Sequence, residues 1–168
     1  MLQLIKRNGR KHKSTVSHWA ATLLACCSML SLALADGVEH VLNSSPPPPG
    51  VVFEIVEGDE EALRDIIPKV VDAIARIRKK FPETDFAVVS HGREEFALQS
   101  KFRETHADIH RGVLALVEDD VSVHVCETHA SWYEVTAEDF PEYVDVAPTG
   151  PGQIQLYQEL DYFLIRID

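Results

Sequence analysis

Residues 51–92 read VVFEIVEGDEEALRDIIPKVVDAIARIRKKFPETDFAVVSHG, and they contain a complete strand-helix-strand pattern. An apolar strand is predicted at 51–56, and a second one at 86–89. Between them, apolar residues recur every three or four positions from Leu63 to Ile77, which is the spacing of one helix face. Two strands joined by a helix indicate a parallel β-α-β unit.

The helix of this unit has capping residues at both ends and one interruption. Asp59 can cap its amino end, and Lys79 and Lys80 suit the partial negative charge at its carboxyl end. Pro68 lies inside the pattern. Because proline has no N–H and its ring clashes with the preceding turn, we expect Pro68 to kink or divide the helix.

The same alternation continues to the end of the chain. Further strands are predicted at 121–125, 144–147 and 163–167, with helical segments at 94–98 and 105–118 and through Leu156 and Leu160. Alternating strands and helices imply a mostly parallel sheet that is covered on both faces. The sequence therefore predicts one α/β domain over residues 51–168, a three-layer α/β/α sandwich around a five-stranded sheet.

Residues 1–35 are predicted to be a signal peptide. Five basic residues lie between Lys6 and Lys13, an apolar run follows from Trp19, and the small-residue pattern Ala-Leu-Ala ends at Ala35. An uncleaved membrane anchor and a lipoprotein processed at Cys26 are the alternatives. Cleavage after Ala35 would make the protein periplasmic or secreted.

Residues 36–50 contain four consecutive prolines and are predicted to be an extended linker that contributes nothing to a core. The chain has 27 acidic and 16 basic side chains and a formal net charge of −11, and the predicted leader carries no acidic residue. A strongly acidic mature surface repels nucleic acid and anionic lipid. We therefore expect neither nucleic acid nor, after cleavage, a membrane among the partners.

Cysteine usage restricts the possible chemistry. Of the three cysteines, Cys26 and Cys27 belong to the predicted leader, so Cys126 would be the lone thiol of the mature protein. Such a thiol is buried and inert, paired between chains, or reactive. Cys126 and His91 each follow a predicted strand, and because ligand crevices lie beyond the carboxyl ends of parallel strands, both are candidate site residues.

Several motifs along the domain, taken in order, resemble those of the DsrE/DsrF-like family, which has the YchN-like fold. They are Glu57-Gly58-Asp59-Glu60-Glu61-Ala62-Leu63, Val88-Val89-Ser90-His91-Gly92, Val123-His124-Val125-Cys126, Thr136-Ala137-Glu138-Asp139-Phe140 and Val144-Asp145-Val146-Ala147-Pro148-Thr149-Gly150. The resemblance implies a sulfur-handling protein in which Cys126 carries a persulfide and relays it between a donor and an acceptor protein. His91 would orient the thiol or handle its proton, and the chain would form a trimer or hexamer.

Two other functions are compatible with the same residues. Cys126 could be a buried structural residue of a non-catalytic binding or assembly module. It could also bind a metal together with His129 or His91, although zinc sites usually need a second pair of ligands. No phosphate-binding loop, nucleophile elbow or zincin helix occurs, so the sequence predicts neither a cofactor nor a metal.

Overall fold

Five parallel strands form a single sheet in the computed structural model, which describes residues 33–167. The strands are β1 (Gly50–Ile55), β2 (Asp85–Ser90), β3 (Val121–Cys126), β4 (Asp145–Ala147) and β5 (Phe163–Ile167). The α-helices are α1 (33–43), α2 (Leu63–Lys80), α3 (Ala107–Glu118), α4 (Glu127–Ser131) and α5 (Gly150–Glu159). Short 3-10 helices cover Arg93–Leu98, Ser100–Phe102 and Ala137–Asp139.

The strand order across the sheet is β4-β3-β2-β1-β5, and every neighbouring pair is parallel. Phe53 pairs with Val88, and Val88 pairs with Val123, so β1, β2 and β3 lie in register. Their carboxyl ends therefore meet at one edge of the sheet. The predicted five-stranded α/β sandwich is confirmed, with an entirely parallel sheet.

Alternate residues of each strand supply two cores. Val51, Phe53 and Ile55 of β1 join the larger core, to which α1, α2, α3 and α4 contribute buried side chains. Val52 of β1 faces the smaller core, where it is grouped with Ile154 of α5. The period of two in side-chain direction thus produces the three layers.

Helix α2 runs unbroken through Pro68, so the expected division of the helix does not occur. Its buried residues lie on both sides of the proline, which means that core packing holds the two parts in one helix: Leu63, Ile66, Ile67, Val70, Ala73, Ile74 and Ile77. The Asp59 carboxylate accepts the Glu61 N–H at 3.0 Å and caps the turn that leads into α2.

The structure corrects the expectation of an extended linker without a core at residues 36–50. Residues 33–43 form helix α1, and its side chains Val38 and Val41 are 1% and 0% exposed within the larger core. Only the segment after this helix lacks regular secondary structure. The apolar face of α1 is buried because it supplies part of the cover over the sheet.

Helix α1 packs against both β5 and α2. A Cβ at Gly37 would lie 3.0 Å from Cγ2 of Ile165, so the absence of a side chain lets the helix approach the sheet closely. On its outer side, Glu39 forms an ion pair with Arg76 of α2. These contacts make α1 part of the domain.

The predicted leader lies mostly outside the described residues. Residues 33–35 are the described part of it, and they belong to α1. Within residues 33–167, no helix is both long and apolar enough to cross a bilayer. Cleavage after Ala35 stays a prediction.

Candidate functional site

Cys126 and His91 come to the same edge of the sheet. Ser90 at the end of β2 pairs with Val125 of β3, and the next residue on each strand is His91 and Cys126 respectively. Adjacent parallel strands are about 4.8 Å apart, so the two backbones are neighbours here. The prediction that both residues follow strands at this edge agrees with the structure.

The Cys126 thiol is the amino-terminal cap of α4, the short helix that follows this strand. Its Sγ accepts the N–H of His129 at 3.3 Å. Its own N–H donates to Oε2 of Glu95 at 2.9 Å. The residue is 4% exposed, so the thiol is buried.

Glu95 and His129 form a buried hydrogen-bonded pair beside the thiol. Oε1 of Glu95 lies 2.8 Å from Nδ1 of His129, and Glu95 is 0% exposed. Burial raises the pKa of Glu95 to about 8, and burial lowers the pKa of His129. At neutral pH the Glu95 carboxylic acid therefore donates to the neutral His129 imidazole, and this uncharged pair lies next to the Cys126 backbone.

The neighbouring Glu94 is also fully buried, but it braces the loop that follows β2. Its two carboxylate oxygens accept the Ser90 hydroxyl at 2.8 Å, the Gly92 N–H at 3.0 Å and the Glu57 N–H at 2.7 Å. A Cβ at Gly92 would lie 2.4 Å from this carboxylate. Burial raises the pKa of Glu94. Each of these hydrogen bonds of Glu94 holds the backbone or a side chain of the loop in place.

His91 is bonded to a different carboxylate from the one beside the thiol. Its Nε2 lies 2.9 Å from Oε1 of Glu54, and Glu54 also accepts a hydrogen bond from Arg166. Burial opposes ionisation of Glu54, but the bonds from Arg166 and His91 outweigh it and hold the pKa of Glu54 below its usual value. A Cβ at Gly150 would lie 2.5 Å from Cβ of His91, so the start of α5 rests on this residue.

Aromatic rings surround His129 on the solvent side. Phe96 stacks on its imidazole at a centroid distance of 5.3 Å, and Tyr133 contacts the same ring edge-on at 5.4 Å. Trp132, which is 72% exposed, makes a similar edge contact at 5.5 Å. These rings limit the access of water to the Glu95–His129 pair and present exposed aromatic surface beside the thiol.

Nothing in the described part of the chain resembles a metal centre. Residues 33–167 contain no group of three or more His, Cys, Asp or Glu side chains arranged to hold an ion. Nδ1 of His129, one of the suggested ligands, is bonded to Glu95. His124 has a packing role, since its Nε2 lies 2.8 Å from the Tyr157 hydroxyl of α5.

Sequence reasoning did not identify Glu95, because a charged residue after a strand ordinarily faces solvent. One signal was available. Glu94 and Glu95 lie between a strand end and the apolar run Phe96-Ala97-Leu98, within the predicted helical piece that proves to be a 3-10 helix. The close spacing of these two acidic residues to a buried strand and to the apolar run was the signal for a carboxyl group near the core.

No protein-family model and no curated protein matches this chain. Among solved structures, it is similar to MTH1491 from Methanobacterium thermoautotrophicum, a protein of unknown function. The TM-score is 0.56 at 25% sequence identity, and the match covers 70% of this chain and 97% of that one. This likeness supports the three-layer fold of the domain.

Proposed function

We propose that this chain is a distant DsrE/DsrF-like protein that carries sulfane sulfur on Cys126. The observation that carries the proposal is the cap geometry, in which Sγ accepts the His129 N–H at the start of α4. This cap holds the sulfur in a fixed position at the start of the helix, and a cysteine sulfur is the atom that accepts sulfane sulfur. The buried Glu95–His129 pair adds a proton donor to the same small volume.

The transfer step exchanges one sulfur–sulfur bond for another. The Cys126 sulfur attacks the outer sulfur of a donor persulfide, the S–S bond of the donor breaks, and a new S–S bond forms on Cys126. The donor leaves as a thiolate and takes up the proton released by the Cys126 thiol. No net oxidation occurs, so neither a cofactor nor an oxidant is required.

Delivery to an acceptor protein is the second half of the proposal. Trp132 and Tyr133, which are 72% and 48% exposed, lie six and seven residues beyond Cys126 and suit a protein contact, since aromatic residues are enriched in interfaces. Export to the periplasm or beyond and assembly into a trimer or hexamer belong to the same proposal.

Brief exposure to polysulfide is expected to add mass to the protein in steps of about 32 Da, the mass of one sulfur atom, which a thiol reductant removes. The full chain with Cys26 and Cys27 replaced by serine confines the reaction to one thiol. Adding Cys126→Ser is expected to abolish the uptake. Intact-mass spectrometry measures it.

Two histidine variants measure how much His129 and His91 each contribute to the rate of sulfur loading in the same assay. His129→Ala removes the ring bonded to Glu95 and is expected to slow loading, whereas His40→Ala, on α1, serves as the matched control. His91→Ala is also expected to slow loading without abolishing it, because His91 is proposed to assist a thiol that is already competent.

The 4% exposure of Cys126 favours a second candidate, a structural cysteine in a non-catalytic binding module. That function requires no sulfur adduct on the native protein and a clear loss of stability in Cys126→Ser. Finding both results together would contradict the carrier proposal.

The export proposal has its own test. We expect the protein in a periplasmic extract to begin at Asp36, because Ala33-Leu34-Ala35 has small residues at both positions that signal peptidase reads. Amino-terminal sequencing measures this directly. An intact Met1 or a modified Cys26 at the amino terminus would contradict it.

A further inference from the structure

A cavity that does not include the thiol lies along one face of α3. It has a volume of about 400 Å³, within the size range of small-molecule sites, and it is lined by Arg103, Ala107, His110, Arg111, Leu114 and Tyr143. Most of these residues recur at helical intervals, so one face of α3 and the segment before it form the floor. The Tyr143 ring forms a wall.

The two arginines of this cavity differ from the other arginines of the domain. Residues 33–167 contain seven arginines, and five of them form ion pairs with carboxylates: Arg64, Arg76, Arg78, Arg93 and Arg166. Within the same residues, Arg103 and Arg111 have no carboxylate partner. In a chain with 27 acidic side chains, these two guanidinium groups without a carboxylate partner line one cavity.

The polar wall of the cavity has a fixed orientation. His110 is 4% exposed, and its Nε2 lies 3.1 Å from the carbonyl oxygen of Ala97, which can only accept. Burial lowers the pKa of His110, and the Arg103 charge acts in the same direction, so the imidazole is neutral with its proton on Nε2. The Tyr143 hydroxyl, 2.5 Å from Nδ1, must therefore donate to it.

The Arg103 guanidinium also hydrogen-bonds to the Tyr143 oxygen, so this oxygen and the two guanidinium groups form the polar side of the cavity. The Arg103 guanidinium lies 5.7 Å from the centroid of the Tyr143 ring and is held against it. Ala107 and Leu114 supply apolar surface opposite. A guanidinium fork matches the two oxygens of a carboxylate, and an aromatic wall suits a flat apolar body.

We propose that this cavity is a binding site for a small organic carboxylate with an apolar, preferably aromatic, body. The arginines would bind the carboxylate, and the body would lie between the Tyr143 ring and Leu114. This site is independent of the thiol chemistry proposed for Cys126.

Benzoate is the probe, titrated into the full chain and followed by isothermal titration calorimetry. Arg111→Gln and Arg103→Gln are each expected to weaken binding about tenfold, which corresponds to about 1.4 kcal/mol, because each removes a charge-assisted hydrogen bond. Lys79→Gln, which removes an exposed positive charge on α2, is the control and is expected to leave the affinity unchanged. Circular dichroism melting verifies that the variants fold.

Two further ligands identify the chemistry. Benzamide has the same shape without the charge, and sulfate has the charge without the apolar body; neither is expected to compete with benzoate at equal concentration. Competition by either one, equal benzoate affinity in the two arginine variants and Lys79→Gln, or no heat of binding with folded protein would overturn the proposal. Failure of sulfur loading at Cys126 would leave it unaffected.

Discussion

Between pH 5 and pH 8, the free energy of unfolding of the wild-type protein is expected to fall by about 3 kcal/mol more than that of the Glu95→Gln variant. Glu95 is fully buried, and burial raises its pKa to about 8 from an ordinary value of 4.5. Glutamine keeps the shape and the hydrogen-bonding atoms of the protonated acid but cannot ionise. The variant therefore lacks the cost of ionising a buried carboxyl group.

The direction follows from the protons bound by each state. Between pH 4.5 and 8 the unfolded chain has lost the Glu95 proton while the folded chain keeps it, so the folded state binds more protons. Raising the pH across this window lowers the free energy of unfolding. Below about pH 4.5 both states hold the proton, and Glu95 makes no pH-dependent contribution.

Urea unfolding at pH 5 and at pH 8 measures the effect in both chains. Glu94 and three histidines also titrate differently in the folded state and are present in both chains, so the comparison reports Glu95 together with its coupling to Glu94 and His129. Glu83→Gln, an exposed loop glutamate, is the control and should shift neither value by more than a few tenths of a kcal/mol. Parallel pH profiles for wild type and Glu95→Gln would show that Glu95 is ionised in the folded protein.

The sheet could be predicted because its signals are local. The apolar runs at 51–56, 86–89 and 121–125 and the helical spacing between the first two identify a β-α-β order, and Cys126 and His91 follow from where strands end. Glu95 could not be found in this way. Its burial depends on the Cys126 N–H and the His129 ring, which are more than 30 residues away in the chain.

Helix α1 illustrates a different cause of error. Leu34, Val38 and Val41 are spaced four and three residues apart, which is a helical pattern. The pattern spans the predicted cleavage position after Ala35, and the four prolines that follow dominate the composition of residues 36–50. A boundary after Ala35 therefore separates Leu34 from the apolar face of α1 that it shares with Val38 and Val41.

Val41→Asp is expected to lower the free energy of unfolding by about 3 kcal/mol or more. Val41 is 0% exposed in the larger core, so an aspartate there loses apolar contacts and buries a carboxyl group for which this apolar environment provides no partner. Thermal or urea unfolding of the full chain measures the loss. The effect should shrink in acid, because protonating the aspartate removes the buried charge.

Asn43→Asp is the matched control, since it adds the same charge to an exposed position two residues further along the chain. It should cost only about 1 kcal/mol, which covers the lost hydrogen bond from the Asn43 amide to the Glu39 carbonyl oxygen and the negative charge at the carboxyl end of α1. If Val41→Asp were as harmless as Asn43→Asp, α1 would be detached in solution, and residues 36–50 would behave as the linker that their proline content indicates. A large difference between the two variants instead makes α1 a part of the folding unit, because a buried charge on a detached segment would relax into water at no cost to the core.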